Sequence, residues 1–167
     1  DVLTVHPSLA AATIAQFITL VKTRPGQLNY ASAGIGTSPQ LSMELFRMEA
    51  RIDIVHIPYK GVGPSLVDLI GGRVEAMFST VPAAIAAVRR GNIRALGVTS
   101  KQRDPELPQV PTIAESGMPN FEVTSWQGLC SPAGVPPAVL ARISAALAAA
   151  LALPDTRKLI VAQGFHL

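Results

Sequence analysis

The sequence predicts an α/β fold in which a mostly parallel sheet is flanked by helices. Short apolar runs rich in β-branched residues alternate with stretches whose apolar residues recur at helical spacing, as in repeated strand–helix–strand units. The connections between them are short and carry Gly, Pro, Ser or Asn. Of the 167 residues, 49% are hydrophobic and 15% are charged, so the chain contains enough apolar surface to form a core.

The first half of the chain alternates three predicted strands with two predicted helices. The strands are 1–5, 28–31 and 52–57. Thr13 is placed to cap the first helix. The apolar face of this helix is Ile14, Phe17, Ile18 and Val21, spaced i, i+3, i+4 and i+7. The second helix begins near Ser38 and accepts Pro39 in its first turn. Its predicted buried face is Leu41, Leu45 and Met48.

The following residues repeat the pattern. A turn over 58–61 precedes a helix over 63–70, which ends at two glycines. The strand 74–78 comes next, and Ser79 with Thr80 opens a helix that continues to Arg90. The run 93–98 is the fifth strand. Strands separated by helices of this size predict parallel pairing, with helices on both faces of the sheet.

The alternation of strands and helices stops after residue 99, where four prolines fall within fifteen residues. This stretch predicts an ordered loop with one short helix over 112–116, followed by a strand over 121–129. Two helices follow, the first from Pro137 and the second after Pro154 and Asp155. Their predicted buried residues are Leu140, Ile143, Leu147 and Leu151 in the first and Leu159 and Ile160 in the second. The single cysteine, Cys130, lies in an apolar run and is predicted to be buried.

The most informative segment is 30–44, a predicted strand that ends in a Gly/Ser/Thr loop and leads directly into a helix. Gly34 and Gly36 let the backbone approach a ligand closely, and Ser32, Thr37 and Ser38 add hydroxyls beside the unpaired amides of the helix start. A carboxylate or phosphate is the expected ligand. The third glycine of the dinucleotide fingerprint is absent and no GK[ST] follows, so a ligand smaller than a nucleotide is favoured.

Three strand-to-helix junctions carry polar groups: Ser32 to Ser38, Tyr59 to Gly61, and Ser79 with Thr80. Each could be an ordinary turn or surface pair. Parallel α/β sheets bind ligands at the carboxyl ends of their strands, so the three junctions are expected to lie at the same edge of the sheet. Their coincidence there favours an anion site.

Other classes of function find less support. The basic residues are spread along the chain without a cationic stripe, which argues against nucleic-acid binding. The histidines are scattered, so no metal or cofactor is expected. A Ser38, His56 and Asp68 catalytic set is conceivable, but His56 is better explained as a strand residue with a satisfied ring. A binding protein is preferred; a small-anion-processing α/β enzyme and a protein-interaction domain without ligand remain the alternatives.

Four blocks along the chain resemble one family. They are YASAGIGTSPQLSMELF, DIVHIPYKGVGPSLVDLIGGRVEAMF, IRALGVTSKQRDPELPQVPTIAESG and FEVTSWQGLCSPAGVPP. In this order they resemble the substrate-binding receptors of tripartite tricarboxylate transporters, the Bug-type family. The resemblance implies a type II periplasmic binding protein, in which two α/β lobes close on a small organic mono- or dicarboxylate. It also implies delivery to membrane permease subunits and a periplasmic location, soluble or lipid-anchored.

The resemblance further implies a division of the chain. Residues 5–123 would form the second ligand-binding lobe, 124–135 the hinge crossover, and 136–167 helices that pack on a first lobe. That lobe would come before this chain in sequence, so the chain is expected to hold half a cleft. Without it, the terminal helices are expected to expose part of their apolar face or to cover that face by self-association.

The resemblance also assigns ligand contacts residue by residue. Those expected to hold a ligand carboxylate are Ser32, Ala33, Gly34, Gly36, Thr37 and Ser38. Tyr59 and Lys60 would flank the cleft, and Ser79 and Thr80 would line its floor. Gln40 stands where many relatives have His, and Ser79 where many have Asp. The missing carboxylate at position 79 removes a partner for a ligand amine and favours a non-amino mono- or dicarboxylate.

Overall fold

The computed structural model describes residues 1–124 and 128–162. The chain divides into two compact units, Asp1–Ser125 and Trp126–Leu167. The finer division implied by the resemblance, with a hinge over 124–135, stays a prediction.

The first unit contains a five-stranded sheet and four helices. The strands are β1 (Val2–Val5), β2 (Asn29–Ser32), β3 (Val55–Pro58), β4 (Ala76–Ser79) and β5 (Arg94–Val98). The helices are α1 (Ile14–Thr23), α2 (Ser38–Ala50), α3 (Val62–Ile70) and α4 (Val81–Arg89). The strand order is β3-β2-β4-β1-β5. β2 is parallel to β3 and β4, whereas β1 is antiparallel to both β4 and β5. Four strands therefore share one direction, which confirms the mostly parallel α/β prediction, and β1 opposes them.

Two apolar layers cover the faces of the sheet. Side chains of α1 and α2 share the first layer, and those of α3 and α4 share the second. The first layer includes Leu3, Phe17, Phe46 and Phe78. The second layer includes Leu69, Met77, Ala84 and Val98. Helices thus lie on both faces, as predicted, and the carboxyl ends of β2, β3 and β4 remain available at one edge of the sheet.

The buried face of α2 differs from its prediction. The core-facing residues are Pro39, Ser42, Met43, Phe46 and Ala50. Leu41 is 56% exposed and Met48 is 72% exposed, while Leu45 packs partly against the core. The predicted face is wrong because α2 is oriented by the large ring of Phe46, which contacts the rings of Phe78 and Phe121.

Two predicted elements beyond β5 are not formed. Residues 113–117 are consecutive hydrogen-bonded turns rather than a helix, and Thr112 makes an isolated parallel bridge with Val98. Among the described residues of the predicted strand 121–129, none is in a strand; 125–127 lie outside the described residues. The outer edge of β5 already bonds Pro111 and Ile113 at Val98, so Val123 bonds only Thr99 beyond the strand, through its N–H to the Thr99 carbonyl and its carbonyl to Thr99 Oγ1.

The second unit contains α5 (Pro137–Ala152) and α6 (Pro154–Ala162). No side chain of α5 is buried, and Leu159 of α6 is 67% exposed. The predicted burial of these helices is therefore wrong, and part of their apolar face is exposed in the single chain. Whether self-association covers this face stays a prediction. Cys130 is also exposed, contrary to its prediction. No single described helix is long and apolar enough to cross a membrane; α5 and α6 satisfy the criteria only as a pair bent by 77°.

Candidate functional site

The three predicted junctions meet at one edge of the sheet. Residues 32–38 follow β2, 59–61 follow β3, and Ser79 with Thr80 ends β4, and these three strands run in parallel. Because β1 is antiparallel, its beginning lies at the same edge, with Val2 opposite both Ser79 and Val98. All eleven sequence-predicted ligand residues are brought to this edge, together with Asp1, which sequence reasoning missed.

The loop after β2 requires its glycines. Gly34 has a φ of 137° and Gly36 a φ of 78°, both in the region that L side chains rarely adopt. A Cβ atom on Gly34 would also lie 3.4 Å from the carbonyl oxygen of Tyr59, which is ordinary van der Waals contact. At both positions it is therefore the backbone conformation, rather than lack of space, that requires glycine.

Several donors of this loop are used within it. The Gly34 N–H donates to Ser32 Oγ at 3.1 Å, and Thr37 Oγ1 donates to the Gly34 carbonyl at 2.7 Å. The Gly36 N–H donates to Gln40 Oε1 at 3.2 Å. Among the described residues, the backbone N–H groups of Ala33, Ile35 and Gln40 have no acceptor. These amides are loop donors left for a ligand.

The loop after β3 is joined to the loop after β2. The Tyr59 N–H donates to the Ser32 carbonyl, and the Gly61 N–H to the Ala33 carbonyl, each at 3.0 Å. The Tyr59 hydroxyl donates to Asp68 Oδ2 at 2.7 Å, and this hydrogen bond is the main cause that raises the pKa of Tyr59. The same bond, together with one from Arg73, lowers the pKa of Asp68.

Lys60 lies beside this joined pair of loops with an exposed side chain. Within residues 1–124 and 128–162 its ammonium group forms no ion pair. It is therefore a cation at the site edge that can approach a ligand carboxylate without first breaking a salt bridge.

Ser79 is the clearest sign of a missing partner. Its side chain is fully buried, and in the described part of the chain its Oγ has no hydrogen-bond partner. A buried hydroxyl without a partner costs about 1–3 kcal/mol. The next residue, Thr80, is exposed at the N-cap of α4, and its side chain makes no capping bond. Both hydroxyls therefore have hydrogen-bonding capacity left for a ligand or water.

Asp1 places a carboxylate at the first turn of α2. Its Oδ2 accepts hydrogen bonds from Ser38 Oγ at 3.1 Å and from Ser42 Oγ at 3.0 Å. A negative charge is favourable there because the helix dipole is positive at its amino end. No local pattern in the sequence could have shown this contact, because Asp1 reaches α2 only through the antiparallel placement of β1.

His56 lies behind the loop on β3. Its ring stacks on Tyr30 with centroids 4.7 Å apart and an angle of 15°, and Nε2 lies 2.7 Å from Ser32 Oγ. Burial lowers the pKa of His56, against an opposing effect of Glu44. The prediction of a satisfied strand histidine is confirmed. Asp68 bonds Tyr59 and Arg73 instead of His56, so the conceivable Ser38, His56 and Asp68 set is not assembled.

The chain matches the family described as the tripartite tricarboxylate transporter family receptor over residues 1–167. The chain belongs to this receptor family. Its fold is shared by solved structures. The structure of MatC from Rhodopseudomonas palustris with bound malate superposes with a TM-score of 0.87 at 32% identity, covering 98% of this chain and 55% of that one. The structure of R. palustris Rpa4515 with adipate superposes with a TM-score of 0.83 at 35% identity, covering 93% of this chain and 52% of that one.

A curated relative is protein BugT of Bordetella pertussis, 36% identical over 98% of this chain and 50% of that protein. The Bug-type resemblance seen in the sequence is thereby confirmed. The chain spans about half the length of these relatives, with 50%, 52% and 55% of their residues covered.

Ser79 offers a direct test of the site. Replacing Ser79 by alanine removes a buried hydroxyl without a partner, so the ligand-free protein should be unchanged or up to about 1–3 kcal/mol more stable. Replacing Ser65, which is equally buried but donates to the carbonyls of Gly61 and Val62, should instead cost about 1 kcal/mol. Urea denaturation compares the two; a larger loss from Ser79→Ala than from Ser65→Ala would show that Ser79 has a structural partner.

Proposed function

We propose that this chain is part of a periplasmic solute-binding receptor that captures a small organic mono- or dicarboxylate and delivers it to the permease subunits of a tripartite transporter. The observation that carries the proposal is the fully buried, unpartnered hydroxyl of Ser79, at the edge where three strand ends converge. Free amides at Ile35 and Gln40 and the unpaired ammonium of Lys60 add donors at that edge.

The donor set favours a small anion, and the ligands of two relatives favour a carboxylate among small anions. Amides at a helix start, hydroxyls and an ammonium group are the groups that bind carboxylate oxygens through charge-assisted hydrogen bonds. Two relatives were solved with malate and adipate, which are both dicarboxylates without an amine. We extend this ligand class to the present chain, with Tyr59 acting as a fixed wall since its hydroxyl is held by Asp68.

Catalysis is not part of the proposal. Ser32 and His56 form a Ser–His pair, but the Ser32 side chain is fully buried and its Oγ also accepts the Gly34 amide. A hydroxyl engaged by these partners holds the loop backbone and is not left to attack a substrate carbonyl. We infer that the protein is a receptor and not an enzyme, in line with the family to which it belongs.

A matched panel of acids tests the function. Thermal shift and calorimetry on the full-length receptor should show binding of at least one acid among malate, adipate, succinate and acetate. At 100 times its Kd a ligand stabilises the folded state by about 2.7 kcal/mol. Malate and aspartate form the sharpest comparison, because they differ only by a hydroxyl and an amine. We expect malate to bind more tightly, since position 79 carries no carboxylate for the amine.

Two results would count against the proposal. No shift with any acid would count against this ligand class and would favour an interaction domain without ligand. Tighter binding of aspartate would refute the non-amino ligand class and would point to Asp1, whose carboxylate at the site edge could pair with an amine.

A further inference from the structure

We propose that His56 is a positioning residue that sets the shape of the ligand loop through Ser32. This inference rests on the proposed function and assigns His56 and Ser32 a role in it. His56 Nε2 lies 2.7 Å from Ser32 Oγ, and the same oxygen accepts the Gly34 N–H at 3.1 Å. The Gly34 carbonyl in turn accepts Thr37 Oγ1 at 2.7 Å, at the N-cap of α2. One continuous chain of hydrogen bonds thus joins β3 to the start of α2.

The ring of His56 is itself firmly held. It lies opposite Tyr30 in the parallel pairing of β2 and β3, and the two rings stack. The Tyr30 hydroxyl donates to Glu44 Oε1 at 2.7 Å, and Glu44 pairs with Arg47 at 3.4 Å. The imidazole is therefore fixed from the sheet and from α2, so its Nε2 can hold the serine hydroxyl in one place.

The bonding of Ser32 decides between a contact and a positioning role. Its buried hydroxyl already lies against His56 Nε2 and accepts the Gly34 N–H, so it is not left for a ligand, unlike the unpartnered hydroxyl of Ser79. The free amide of Ile35 lies one residue beyond Gly34, whose backbone Ser32 restrains. Ser32 and His56 act by orienting this amide and the left-handed Gly34 rather than by touching the carboxylate.

Three variants separate the hydrogen bond from packing. His56→Phe keeps a ring to stack on Tyr30 but has no nitrogen, whereas His56→Gln carries an amide that can reach Ser32. Ser32→Ala removes the other partner. The control is His6→Phe, which breaks a similar pair, His6 Nδ1 to Ser8 Oγ at 2.6 Å, located beyond the opposite end of β1.

The ligand-free readout is amide hydrogen exchange at Gly34, measured by NMR on the full-length receptor. Losing one hydrogen bond should raise the Gly34 exchange rate about tenfold in His56→Phe and Ser32→Ala. His56→Gln should restore a rate close to that of the wild type, and His6→Phe should leave it unchanged. A Gly34 rate unaltered in His56→Phe overturns the positioning role of His56.

The second readout is the Kd for malate and adipate. His56→Phe and Ser32→Ala should each weaken binding about tenfold while lowering the free energy of unfolding by about 1 kcal/mol, the loss of one buried hydrogen bond. The double variant should lose no more than the worse single one, because both act on one chain of bonds. The inference is refuted if the losses of affinity multiply in the double variant, or if His56→Phe binds as tightly as the wild type. If the wild type binds neither acid, the proposed function fails, and Gly34 exchange alone decides whether His56 positions the loop.

Discussion

Replacement of Phe46 by alanine is expected to lower the free energy of unfolding by about 3–5 kcal/mol, the range found for large-to-small changes at buried aromatic positions. The Phe46 side chain is fully buried. Its ring centroid lies 6.0 Å from those of Phe78 and Phe121, both in edge-on geometry, and 6.2 Å from that of Phe17. Alanine would remove three ring contacts and leave a cavity between α2 and the sheet.

Met48→Ala is the matched control on the same helix. Because the Met48 side chain is 72% exposed, its loss should change the free energy of unfolding by no more than about 0.5 kcal/mol. Urea denaturation of both variants measures the difference. A greater loss from Met48→Ala than from Phe46→Ala would restore the buried face that the sequence predicts and contradict the observed orientation of α2.

The two stripes on α2 show where periodicity stops being informative. Leu41, Leu45 and Met48 are spaced as a helical face, and so are Met43, Phe46 and Ala50. No local feature of the sequence shows which of these two faces is buried. The choice is made by Phe78 and Phe121, which are distant in sequence and receive the ring of Phe46. Helix α1 has a single apolar stripe and a Thr13 cap, so its position and its buried residues follow from the sequence.

The direction of β1 is a second property that the sequence does not contain. Val2–Val5 is a short apolar run like the others, and its residues would suit either direction. Its antiparallel pairing with β4 and β5 follows from the overall topology. This placement brings Asp1 to the site edge, which explains why Asp1 could not be predicted as a neighbour of Ser38.

The candidate site was predictable in its location and less so in its bonding. Turn residues, strand ends and the family motifs identify the loops after β2, β3 and β4. The sequence does not reveal which hydroxyls are already bonded. Ser32 is held by His56 and Tyr59 by Asp68, and both partners come from other elements. Ser79 looks no different in sequence, yet in the described part of the chain its buried hydroxyl has no hydrogen-bond partner.

Gly34→Ala is expected to have the largest effect on binding. At a φ of 137° an L side chain is strained, at a cost of about 1–3 kcal/mol. Relief of that strain requires rotation of Gly34, which would break its bonds to Ser32 and Thr37. Calorimetry with malate or adipate should therefore show affinity reduced by up to about 100-fold, since each 1.4 kcal/mol is a factor of ten.

Gly63→Ala provides the control that separates backbone strain from loss of a glycine as such. Gly63 lies in α3 with no left-handed φ, and an added Cβ would meet no atom within 4 Å. Alanine there should leave ligand affinity unchanged and stabilise the fold by about 0.4–1 kcal/mol, because the unfolded chain loses freedom. If Gly34→Ala bound its ligand as tightly as Gly63→Ala, the left-handed turn would be dispensable. The donors at Ile35 and Gln40 would then not depend on the turn for their orientation, and the ligand would have to be held chiefly by Lys60, Ser79 and Thr80.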